Sequence, residues 1–274
     1  MSTTVLSRQH QSSMSGLKVT QARVFRSEWT KFRSLRSTYI TLFVAMALTI
    51  GLGTLISAVR AAHWDQGRAA ERLNFNAVTT SLDGVNIAQL AIGVLGVMLI
   101  TGEYATGMIR ASLTVVPKRL PVLWAKVGVF ASVVGLASLV AVFVAFFLGQ
   151  SMLASKHLNV SISSPHALRM VIGAGLYLTV IGILGLALGA LLRNTAAGIS
   201  ALVAVLFVIP PILDLLPSSW SNDIAPYLPS NAGAAIWSSP TGSHLGPWTG
   251  FAVLCLWTVV ILGLAAARLK RQDA

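Results

Sequence analysis

Six long apolar runs alternate with short polar stretches, at 38–59, 85–101, 127–152, 170–192, 195–216 and 248–267. A helix needs about 20 residues to cross a hydrocarbon layer of about 30 Å, so each run predicts a membrane span. The second is short unless it begins near Leu82, and the third is long enough to tilt or break. Only Arg193 and Asn194 separate the fourth from the fifth, which predicts a tight helical hairpin. Upstream, at 22–37, Phe25, Trp29, Phe32 and Leu35 recur at three- and four-residue spacing. They share one face, while Arg26, Lys31, Arg33 and Arg36 lie largely off it. A basic helix with an aromatic face belongs in the headgroup layer. Residues 1–21, rich in Ser, Thr and Gln, read as a disordered cytoplasmic tail.

Composition sharpens the class. Of 274 residues, 55% are hydrophobic and 10% charged, with mean hydropathy +0.75. Soluble domains carry about 25% charged residues. The expected fold class is an all-α integral membrane protein: six transmembrane helices covering 38–267, preceded by the amphipathic interfacial helix. A net charge of +12 on a soluble chain would suggest nucleic acid. Here the bases sit at the ends of apolar runs, where they set orientation and meet anionic headgroups, so no nucleic-acid partner is expected. The tail, the second and fourth loops and the C-terminus hold 15 Lys and Arg; the other three loops hold 5. The excess belongs in the cytoplasm. Both termini and the 102–126 loop are therefore expected inside, in a multi-pass protein of the cytoplasmic membrane.

Candidate chemistry is sparse. No phosphate-binding GxxxxGK[ST], HExxH or GxSxG stands in the sequence, and the five histidines fall outside the predicted spans. The one cysteine, Cys255, lies in an apolar run. Neither an active site nor a metal or cofactor site is expected in this chain. Asp214 lies near the end of the fifth run, after Pro210 and Pro211, which should kink that helix. These three are candidates for a substrate path, although Asp214 equally suits the interface. Gly185 and Gly189 are spaced for close helix contact, and packing is the plainer use. Residues 217–247 hold half of the ten prolines, with Trp220, Tyr227 and Trp237 and no Lys or Arg. They read as an extracellular cap or re-entrant loop.

The loop 102–126 stands apart. It offers one acid (Glu103), an aromatic (Tyr104), the apolar Met108 and Ile109, and the bases Arg110, Lys118 and Arg119 beside Pro117. Glu103 and Arg110, seven apart, share a helical face. Apolar anchors ringed by charge suit a soluble partner's pocket. The plainer alternative is that the bases only hold topology. Glu28, the only acid before Asp65, pairs in the simplest reading with Lys31 at i+3.

Two stretches resemble the permease subunits of the ABC type-2 exporter superfamily, especially actinobacterial ones. SEWTKFRSLRSTYITL at 27–42 is similar to the segment before that family's first span, with Glu28, Lys31, Ser34, Arg36 and Ser37 at its typical positions. ITGEYATGMIRASLTVVPKRLPVLWAKV at 100–127 resembles the loop after the second span, through Glu103, Tyr104, Gly107, Met108, Ile109, Arg110, Pro117, Arg119 and Lys126. The resemblance implies a half-transporter. Two permease chains, identical or paralogous, would pair, each seating a cytosolic ABC ATPase that binds the ATP and magnesium. The loop would be a coupling helix carrying Glu103, Tyr104, Gly107, Met108, Ile109, Arg110, Pro117, Lys118 and Arg119. The entry helix (Phe25, Glu28, Trp29, Lys31, Phe32, Arg33, Arg36) would move with it. With few charges in the spans, the expected cargo is apolar or amphipathic: a drug, lipid or peptide. Two other classes remain open. One is a scaffold or sensor that recruits a cytosolic protein; the other is a secondary transporter, which usually shows internal repeats.

Overall fold

Leu, Val and Ala dominate the apolar runs, so backbone polar groups must be satisfied within each segment, and helix is the structure that does so in lipid. The computed structural model describes residues 21–34, 36–105, 119–215, 217–239 and 245–271. Among these every regular element is helical. Helix α1 spans Gln21–Ser34, α2 Arg36–Ala62, α3 Ala69–Leu73, α4 Ala77–Leu82, α5 Val85–Ala105 and α6 Arg119–Leu153. After a second polar connection come α7 (Ala167–Leu192), α8 (Thr195–Val203), α9 (Ile209–Asp214), α10 (Ser218–Ile224), α11 (Pro229–Ala234) and α12 (Pro247–Arg271). Six stretches are long and apolar enough to cross a membrane: Ser37–Ala62, Ala77–Ala105, Leu120–Lys156, Ala167–Leu192, Thr195–Leu213 and Pro247–Arg271.

The boundaries differ from those read by hydropathy where charge or glycine interrupts the pattern. Hydropathy starts the second span at residue 85, but α4 adds a turn and a half before it. Asn76 caps α4, accepting from the amides of Val78 and Thr79 at 3.0 and 3.1 Å. The third span starts at 119–120 rather than 127, because Lys126 lies inside the helix instead of ending the loop. At 35 residues, α6 is about 52 Å long and outreaches a hydrocarbon layer.

Helix α7 is the axis. It is buried along nearly its whole length, with α5, α6, α8 and α12 packed around it. Glycine makes the α5–α7 crossing possible. A Cβ on Gly96 would lie 2.1 Å from the Gly182 carbonyl oxygen, and one on Gly185 would lie 2.1 Å from that of Gly93. The two backbones are in direct contact, as small residues allow in membranes. Packing is thus the use of Gly185; Gly189 likewise sits against the Val97 backbone. Outer faces of α2 and α12 leave Phe43, Leu55, Leu256 and Val259 exposed, as lipid-facing surfaces do.

The fifth span is interrupted. Pro210 and Pro211 lack the amides that would bond back to Leu206 and Phe207. The preceding turn, Ala204–Val208, widens to π geometry, and the Ile209 amide reaches the Ala204 carbonyl. Beyond it, α10 packs on α9, and α11 folds back onto the bundle. Ile236 and Trp237 are buried, Gly233 meets Tyr177 and Leu254, and Arg169 Nη1 donates to the Ile236 carbonyl at 2.7 Å. The 229–237 stretch is therefore packed against α7 and α12.

Candidate functional site: a buried charge knot

The buried stripe of helix α1 is not purely aromatic. Phe32 is buried, whereas Phe25 and Trp29 stay partly exposed. One turn before Phe32 on the same stripe, Glu28 is only 4% exposed. An ionised carboxylate so placed demands partners. Lys126 Nζ, 5% exposed, donates to Glu28 Oε2 at 2.7 Å and to Glu103 Oε1 at 2.8 Å. Lys31 Nζ donates to Glu28 Oε1 at 2.7 Å and lies 3.7 Å from Glu103 Oε1. Two acids and two bases thus alternate in a closed, neutral group, walled by Phe32, Leu99 and Val129.

The knot joins three elements: α1, the last turns of α5 and the first turns of α6. Burial alone would push the Glu28 carboxyl up; the charge and hydrogen bond of Lys126, with those of Lys31, outweigh it and hold the group below its ordinary value. Burial would likewise lower Lys31, but its bonds and attraction to Glu28 and Glu103 raise it instead. Removing one member of such a buried group typically costs about 3–5 kcal/mol, because the rest stay buried and uncompensated.

A second contact lies at the same end of the bundle. Arg193 ends α7 in the left-handed conformation, φ 56°, and its guanidinium sits 5.3 Å from the Tyr104 ring centroid. Thr195 Oγ1 donates to Thr101 Oγ1 at 2.9 Å, and Arg268 Nη1 donates to the Leu191 carbonyl. Asn194 caps α8 through the Ala197 amide at 3.0 Å, which completes the tight hairpin. The ends of α5, α7, α8 and α12 are thus tied together beside the knot.

This placement revises how two candidate residues work. Glu103 and Tyr104, read from sequence as contacts for a partner, are also engaged within the chain, one in the knot and the other under Arg193. Gly107, Met108, Ile109, Arg110, Pro117 and Lys118 lie outside the described residues, as do the side chains of Arg36, Arg119 and Asp214. Arg33 is exposed on α1; Pro210 is buried and Pro211 exposed at the start of α9. The pairing of Lys31 with Glu28 is present, yet it is the lesser part. Lys126 escaped sequence reasoning as a site residue because its basic charge was assigned to the loop. Its signal was a lysine flanked at helical spacing by Val122, Leu123, Val129 and Phe130.

Fold and site together define an all-helical protein whose six long apolar helices fit a multi-pass membrane protein. No protein-family model matches the chain, and no curated protein matches it. Among the described residues no group of three or more His, Cys, Asp or Glu could hold a metal ion.

Proposed function

We propose that this chain is the membrane-spanning permease subunit of an ATP-driven ABC exporter in the cytoplasmic membrane, with both termini inside. It would pair with a second permease chain and be driven by a separate cytosolic ATPase that binds the ATP and magnesium. The 106–118 segment would be the coupling contact. Cargo would be apolar or amphipathic, passing between the two permeases beside the Pro210–Asp214 turn of the fifth span.

One observation carries this reading: the knot clamps both roots of the 102–126 loop to the entry helix. Glu103 stands three residues before the 106–118 segment and Lys126 eight residues after it, two turns into α6, and both grip Glu28 or its partner Lys31. A push on that segment is delivered to α1, α5 and α6 as one body, rather than dissipated in a loose loop. A motor that alternates two packings close in free energy needs such a rigid input. Glu103 and Tyr104 are on this account positioning residues. The partner contact falls to Met108, Ile109 and Arg110.

Co-purification from the native membrane tests the proposal. A stoichiometric ATPase is expected, and Arg110→Ala should reduce cargo-stimulated ATP hydrolysis while leaving the folded yield unchanged. A chain that co-purifies instead with a cytosolic protein lacking ATPase activity would be a scaffold or sensor. Wild-type coupling in the Arg110→Ala protein would overturn the contact assignment.

A further inference from the structure

The opposite end of the bundle carries two adjoining cavities that the transport reading does not use. The larger, about 580 Å³, runs from the outward flank of α2 at Leu55, Ile56 and Val59 up to Arg60, Trp64 and Arg72. The smaller, about 400 Å³, is lined by polar groups of the α3–α4 connection and α4, including Asn76, Thr79 and Thr80, and ends at Asp83. Arg60 and Glu71 border both, so the two meet at that pair.

The chemistry changes in a fixed order along this path. First comes an apolar wall continuous with the lipid-facing side of α2. Next come two guanidinium groups with capacity to spare. Arg60 Nη1 is 3.8 Å from Glu71 Oε2, a loose contact between half-exposed groups. Arg72 spends one donor on the Asp65 carbonyl, at 2.8 Å, and rests 5.8 Å from the Trp64 ring centroid. Last comes an acid: among the described residues the Asp83 carboxylate makes no hydrogen bond, and its charged neighbour is Arg60. Arg60 lies in the last turn of a span and Trp64 just past it, at the depth where aromatic rings and headgroups sit.

We infer that this double cavity binds an amine-bearing glycerophospholipid, with acyl chains along Leu55–Val59, phosphate between Arg60 and Arg72, and ammonium against Asp83. Apolar, basic and acidic zones match tail, phosphate and amine in the order in which such a lipid carries them. Guanidinium groups hold phosphate through paired N–H donors. An ammonium supplies the hydrogen bonds that the Asp83 carboxylate lacks. An anionic lipid without the amine would leave Asp83 unanswered, and a simple cationic amphiphile would leave both arginines so.

The test uses the full chain in nanodiscs of phosphatidylcholine doped equally with phosphatidylethanolamine and phosphatidylglycerol. Lipid retained per chain is counted by native mass spectrometry. Wild type should keep phosphatidylethanolamine about fivefold over phosphatidylglycerol, a ratio in the range of one solvent-exposed ion pair. Asp83→Asn should bring that ratio near one, and Arg72→Gln should lower retention of every phospholipid. An arm that needs no variant replaces phosphatidylethanolamine with its N-acetyl form, which keeps tails and phosphate but lacks the ammonium; it should lose the preference. Equal retention of all lipids by wild type, meaning a non-specific annulus only, would overturn the assignment. So would an undiminished preference for the N-acetyl lipid, or full displacement by dodecylammonium, which has no phosphate. None of these readouts depends on transport, so the site can fail while the permease reading stands, and the reverse.

Discussion

Replacing Lys126 by Met keeps the volume and helix propensity of the side chain but deletes the charge that two buried carboxylates share. Glu28 and Glu103 would be left with Lys31 alone, which bonds the first at 2.7 Å and reaches the second only at 3.7 Å. One carboxylate is then uncompensated. The expected cost is about 3–5 kcal/mol. That energy is set against the docking of α1, a short helix that this knot and Phe32 help hold against α6. Local release should precede global unfolding, and about 3–5 kcal/mol multiplies the released population by about 10²–10⁴. The assay is hydrogen exchange of α1 and α6 amides in detergent. K126M should expose α1 strongly and leave the α7 amides protected. The decisive variant is the double E28Q/K126M. It removes the surplus carboxylate and leaves Lys31 facing Glu103, so it should recover much of the protection lost in K126M. If the double variant is no better protected than K126M, or if K126M itself exchanges like wild type, the knot does not hold α1 and the coupling argument loses its basis.

Glu28, held below its ordinary 4.5, contributes in full above that value, and the contribution is lost as pH falls through its lower folded pKa. Lys31, raised above 10.5, contributes in full below that value and loses it as pH rises through its folded pKa. The distance between spin labels at positions 33 and 132 should therefore stay flat from about pH 5 to pH 10 and lengthen outside that window; a transition near neutrality would contradict the assignment. Gly185→Ala drives a methyl into the Gly93 backbone and should cost about 1–3 kcal/mol or more, whereas Gly263→Ala meets nothing within 4 Å and should be neutral. Comparable melting temperatures for the two would refute the backbone-contact account of the α5–α7 crossing. Gln150 bonds the Ala77 carbonyl, Ser81 Oγ and the Val160 amide at 2.8–2.9 Å, so Gln150→Leu should destabilise by about 1–3 kcal/mol. An unchanged melting temperature would show those groups finding other partners.

Long apolar periodicity made six of the helices legible, because burial in lipid leaves the backbone little choice. Charge at the ends of runs was harder to read. A hydropathy window stops at the first lysine, so Lys126 marked a loop when it in fact lies two turns inside a helix, on its buried face. The sequence likewise paired Glu28 only with Lys31; that the acid is buried depends on α6 lying beside α1, a contact 98 residues apart in sequence. Helix α4 was missed because Asp83 and Gly84 follow it, and two such residues ordinarily announce a turn. Here Gly84 brings the chain against the Thr49 carbonyl, where a Cβ would stand 2.3 Å away, so the break is also a crossing point. The loosened turn before Pro210 could be foreseen as a kink, but not as a widened coil.

Lys126 and Gln150 stand on one unbroken rod, about 36 Å apart along α6. Each is pinned by hydrogen bonds to a different part of the molecule, near opposite ends. On the proposed function such a rod would act as a see-saw. A tilt of about 10° around its middle would carry each end about 3 Å, in opposite directions. The glycines of α7 that meet Phe130 and Leu139 lie between those two ends, so such a tilt would be felt along the α6–α7 seam as well.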